Sequence, residues 1–128
     1  MTSSILKYIS DRMHAIGIPY SFARWDGPIA SESTYYIVGE YTEVKTMGRE
    51  EEGRQETTLI LRGFTRGTWL LLEEAKAKIE KEIPCTTILD DGTGVAIAYD
   101  SGMIVPTGNA DLKSIKINLT IQEWRTDL

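Results

Sequence analysis

The chain has one cysteine and one histidine in 128 residues. A lone Cys85 excludes an internal disulfide and any zinc site built on paired cysteines. A lone His14 excludes two-histidine metal sites and the metalloprotease pattern. No apolar run approaches the roughly 20 residues that a spanning helix needs, and the amino end lacks the basic-then-apolar order of a signal peptide. The expectation is a protein that meets no membrane and stays where it is made. Basic excess is missing too. Lys and Arg total 14 against 19 Asp and Glu, a net charge of −5, with the two signs interleaved, which argues against specific nucleic-acid binding because phosphate contacts need clustered cations. There is no repeat, no low-complexity stretch and no linker long enough to split the chain.

What is present is an ordinary folding composition, 41% hydrophobic and 26% charged. The length suits one domain, residues 1–128, large enough to bury a core. "SSILKYISDRMHAIGIP" opens on a serine N-cap and sets Ile5, Leu6, Ile9, Met13 and Ile16 at helical spacing, with Lys7, Asp11 and His14 opposite. Gly17 and Pro19 end it, so the spacing predicts a helix over about residues 4 to 16. A short strand candidate, "YSF", and a turn-rich stretch around Asp26, Gly27 and Pro28 follow.

"YYIVGEYTEVK" and "QETTLILRGFTR" form the strongest strand pair, each extending roughly 35 Å at about 3.3 Å per residue, so the hairpin is expected to project beyond the body of the domain. Tyr35, Ile37 and Tyr41 alternate with Tyr36, Val38 and Val44, and Leu59 and Leu61 with Ile60 and Phe64, leaving both faces apolar. Such a sheet needs cover on both sides, helices on one and, on the other, a second copy of the chain. "TWLLLEEAKAKIEKEIP" predicts a second helix, capped by Thr68 and ended by Pro84, with Trp69, Leu72, Lys76, Ile79 and Ile83 along one side. Its charges suggest the pairs Glu74–Lys78, Lys76–Glu80 and Lys78–Glu82. "GVAIAYD" and "GMIVP" read as two short strands around a turn at Asp100-Ser101-Gly102, and "SIKINLTIQEW" as a half-buried strand with Ile115, Ile117, Leu119 and Ile121 inward. The whole is α+β: a mostly antiparallel sheet with a long β-hairpin and two α-helices on one face.

Chemistry-bearing groups are sparse. Cys85 would serve as a nucleophile only if His14 reached it in the fold; otherwise it is a small hydrophobe at a strand edge. "LDDGTG" places Asp90 and Asp91 beside Gly92 and Gly94, a possible cation or phosphate site, but it lacks the third glycine of a dinucleotide fingerprint and the lysine of a P-loop, and it also reads as a plain turn. Glu50, Glu51 and Glu52 lack the spacing of calcium ligands. Asp11, Asp26 and Glu40 fall at no spacing that pairs them for acid–base work. No catalytic residue, cofactor or metal ligand is assigned.

The leading amphipathic helix, the "PYSF" step, "YYIVGEY" with its charged loop, and "ETTLILRGFTRGTW" running into "LLLEEAKAKIEK" resemble the small tail-terminator and head-to-tail completion proteins of long-tailed bacteriophages and prophages. The likeness covers roughly Ile5 to Trp124 and lies in pattern more than in invariant residues. It implies an α/β or α+β subunit that closes into a hexameric ring, caps the finished tail tube and docks it to the head connector. Its partners would then be copies of itself, the tube protein and the connector protein, in a virion tail assembled in the bacterial cytoplasm. The long loop between two strands, mobile in the free subunit of that family and ordered in the ring, corresponds to Thr46–Gln55, with Arg49, Glu50, Glu51, Glu52 and Arg54 as its charged contacts. Mixed charges of this kind fix register more than they add affinity. Two other readings stay open: a small ligand-binding or enzyme domain using the Asp90–Gly94 turn or Cys85, and an adaptor that takes a partner strand at its hairpin edge.

Overall fold

A computed structural model describes residues 1–43 and 54–125. The elements are α1 (Ser3–Ala15), β1 (Tyr20–Phe22), β2 (Tyr35–Glu43), β3 (Arg54–Thr65), α2 (Trp69–Glu82), β4 (Cys85–Ile88), β5 (Thr93–Val105) and β6 (Lys113–Arg125). They make one six-stranded sheet in the order β1-β2-β3-β6-β5-β4, antiparallel throughout except that β1 runs parallel to β2. The fold is the expected α+β arrangement.

Helix α1 starts one residue earlier than the serine cap suggested, with Thr2 in the N-cap conformation and no side-chain capping bond. Its end is set by Gly17 at φ +80°, where the Gly17 N–H donates to the His14 carbonyl at 3.0 Å and the Ile18 N–H to the Met13 carbonyl at 2.9 Å. Those two bonds satisfy carbonyls that the helix would leave open, and a left-handed residue is needed to make them. The turn then drops Ile18 and Tyr20 into the core.

One face of the sheet carries the core. Ile5, Ile9 and Met13 of α1 and Leu72, Ala75 and Ile79 of α2 pack with Ile37, Leu59, Leu61, Val95, Ile97 and the inward row of β6, Ile115, Ile117, Leu119 and Ile121. Each large side chain removed from water here stabilises by about 1.5–3 kcal/mol. β6 lies between β3 and β5, so its inward residues are buried from both sides and from the helices above.

Four expectations are corrected. The β2–β3 hairpin does not project among the described residues, because β3 pairs with β6 along its whole length, from Arg54 opposite Trp124 to Thr65 opposite Lys113. "GVAIAYD" and "GMIVP" are not two strands but the single strand β5, whose register shifts between Tyr99 and Ser101; Asp100 forms the bulge and accepts a hydrogen bond from the Thr120 hydroxyl. Trp69, expected inward, is 37% exposed because it is the first residue of α2, at the margin of the sheet. The ion pair on α2 is Lys76–Glu73 at 3.3 Å, and among the described residues none of the three anticipated four-residue pairs is closed.

The outer face of the sheet is apolar only in part. Tyr36 stacks on Trp25 of the β1–β2 loop with centroids 4.8 Å apart and planes 7° from parallel, and on its other side meets Phe64 at 5.3 Å. The Trp25 indole N–H donates to the Pro28 carbonyl at 2.8 Å, which holds the loop over the sheet. The chain therefore supplies part of the second cover itself. Further along, β6 presents Lys116, Asn118, Thr120 and Gln122, and Arg62 pairs with Glu40 at 2.9 Å. That area is at home in water.

Candidate functional site

The Asp90–Gly94 stretch is the tip of the β4–β5 hairpin. The Gly92 N–H donates to the Leu89 carbonyl at 2.9 Å and the Leu89 N–H to the Thr93 carbonyl at 2.7 Å, closing a three-residue turn with Gly92 at φ +86° in the position that requires glycine. Asp91 accepts from the Thr93 N–H at 3.0 Å, and hydrogen bonding from the Thr93 hydroxyl, with that N–H second, holds its carboxyl below the usual carboxylate range. Gly94 sits opposite Trp124 on the neighbouring strand, and a Cβ there would overlap the indole ring. Both glycines and one aspartate of the motif are thus accounted for by the turn and by close packing.

Beside this hairpin runs an open groove of about 440 Å³ along α1, lined by Lys7, Tyr8, Asp11, Asp90 and Asp91. Lys7 and Asp11 pair across one helical turn at 2.8 Å, and the Asp11 carboxylate raises the Lys7 ammonium above its ordinary value. Both are largely exposed, so the pair contributes little to stability. Among the described residues, no group of three or more His, Cys, Asp or Glu is placed to hold a metal ion.

Cys85 and His14 are not brought together. The Cys85 sulfur lies 3.4 Å from the Tyr8 hydroxyl, and this contact is the main cause of the raised Tyr8 ionisation. The His14 Nε2 lies 3.1 Å from the Tyr20 carbonyl oxygen. A cysteine with a phenol for its neighbour lacks the base that would activate it.

Of the charged loop, Arg49, Glu50, Glu51 and Glu52 lie outside the described residues, and Arg54 appears as the first backbone position of β3. Exposed apolar residues that periodicity did not single out include Ile29 in the β1–β2 loop and Ile88 at the end of β4, and a group of them lies at the far margin of the sheet. Met103 and Ile104 of β5 are 49% and 61% exposed, and Leu70 of α2 is 63% exposed. Trp69 and Ile104 share one shallow groove. The signal in the sequence was there in "GMIVP", three consecutive apolar residues that cannot all point to one side of a strand. No helix among the described residues is long and apolar enough to cross a membrane. The chain matches no protein-family model and no curated protein.

Proposed function

We propose that this chain is a structural subunit of a long-tailed bacteriophage or prophage tail: a tail terminator whose copies close into a hexameric ring, cap the tail tube and meet the head connector. The reading rests on the order of elements from "SSILKYIS" to "QEW". The observation that carries it is a group of exposed apolar side chains gathered at one margin of the sheet. Met103, Ile104 and Leu70 are at an open sheet margin and its neighbouring helix end, and the groove that Ile104 shares with Trp69 is shallow, the kind of surface that another protein covers. Contacts between different surfaces of identical subunits close into rings when the rotation allows. The protein turns over no substrate and needs no cofactor. Its net charge of −5 suits a ring that DNA passes without being gripped.

In this reading Arg49, Glu50, Glu51, Glu52 and Arg54 make the charged contacts of the hairpin loop with a neighbouring subunit or the tube. Replacing all five with serine is expected to abolish completed tails, counted by electron microscopy of a complementation lysate, while the soluble protein keeps its melting temperature. Normal tail numbers would remove the role given to the loop. The groove beside α1 favours a second reading, a small-ligand domain in which Lys7, Asp11, Asp90 and Asp91 would provide the polar contacts.

A further inference from the structure

The sheet ends differently at its two margins. On one side β4 pairs only with Gly94–Ile97 of β5, so from Ala98 to Val105 β5 has no outer neighbour among the described residues. Natural edges are usually guarded by charge, proline or a bulge. Here the bulge at Asp100 lies within the open stretch and Pro106 just beyond its end, and Ser101–Val105 between them carries no charge. On the other side the margin is β1, three residues long.

The pairing registers align these two margins. Tyr20 pairs with Ile37, Ile37 with Gly63, Gly63 with Ile115, and Ile115 with Ile104. The next row runs Ser21, Val38, Arg62, Lys116, Met103, and the third runs Phe22, Gly39, Leu61, Ile117, Gly102. β1 and the open part of β5 therefore occupy the same three rows at opposite ends of the sheet. They also run in opposite senses, since β1 is parallel to β2 and each of the steps from β2 through β3 and β6 to β5 reverses direction.

We propose that Gly102–Ile104 of one subunit pairs antiparallel with Tyr20–Phe22 of the next copy, head to tail, so that each sheet continues into its neighbour's. The proposal rests on the ring reading and names its interface. A copy set beside the first in the same sense presents the right strand in the right direction with no slip of register, and a rotation at each step closes the ring. Ile104 would face Tyr20, Met103 would face Ser21, and Phe22 would stand opposite Gly102, whose open side Tyr99 and Lys76 of its own subunit already cover. The backbone of β1 has groups to offer. The Pro19 carbonyl and the Ala23 N–H bond to β2, at 2.8 Å and 2.7 Å, so by alternation Tyr20 and Phe22 turn their backbone groups outward. Their carbonyls each hold one local bond, from His14 and from the Arg24 N–H, and a carbonyl accepts two. On the helix side Trp69, beside Ile104, would gain cover from the neighbour's β1 margin. Pairing of β5 with β5 would leave β1 open and stop at two copies, which is why the second copy is placed head to tail.

The test is cysteine cross-linking in a Cys85→Ala background whose melt shows it folded. With Ser21→Cys and Met103→Cys together, mild oxidation is expected to give a ladder of covalent multimers, and each single variant is expected to give none. Dimers from Met103→Cys alone would mean that β5 pairs with itself and would overturn the proposal. The absence of a ladder while light scattering reports rings would place the interface elsewhere and leave the ring reading standing; the absence of both ladder and rings would overturn the two together. As a second measure, Ile104→Lys, at a side chain exposed enough to leave the subunit folded, is expected to weaken self-association roughly tenfold or more by placing a charge in the new sheet, and unchanged association would count against the pairing.

Discussion

Leu119→Ala is expected to lower the free energy of unfolding by about 2–5 kcal/mol. Leu119 has no exposed surface and lies on β6, between Leu59 of β3 and Tyr99 of β5, with the two helices on the same face. Truncation removes the transfer energy of three carbon atoms and leaves a cavity whose walls, strands held by ladders on both sides, relax little. Against a total of roughly 5–15 kcal/mol for a domain of this kind, that is a large share. A urea denaturation series of the purified protein measures it. A loss under about 1 kcal/mol would mean that β6 is not the buried centre of the sheet.

Gly94→Val is expected to cost about 1–3 kcal/mol through overpacking. A side chain at this position collides with the Trp124 indole across the β5–β6 pair, although valine is otherwise the better strand residue. Strand propensity and packing therefore predict opposite signs at one site, and packing is the larger effect. Thermal unfolding of Gly94→Val and of the double variant with Trp124→Ala separates them: the double variant should recover part of the loss. A stabilised single variant would show that Trp124 does not lie over Gly94. The same experiment bears on function, because a glycine kept for a ligand would leave stability unchanged when replaced.

The parts of the fold legible in the sequence are those where period and burial coincide. Ile115, Ile117, Leu119 and Ile121 alternate with polar residues and are buried as a row, and Ile5, Ile9 and Met13 recur at helical spacing and line the inner side of α1. The sequence of β5 suggests two strands because Asp100-Ser101-Gly102 has turn chemistry; the bulge accommodates those residues without ending the strand. The sheet order was not legible, since β6 enters between β3 and β5 through contacts remote in sequence. Nor was the self-cover of the outer face, because Trp25 comes from a loop without periodicity. As for the site, the Asp90–Gly94 turn reads correctly as a turn from its residues. The open margins became visible only with the registers, which no local pattern encodes.

The proposed ring requires that copies of this chain pair head to tail. The most direct measurement is the mass of the purified protein over a wide concentration range, by light scattering coupled to size exclusion, with negative-stain images of any large species. Closed rings of about six copies are the predicted result. Two-fold dimers that grow no further at any concentration would contradict the account, because a self-complementary contact cannot build a ring.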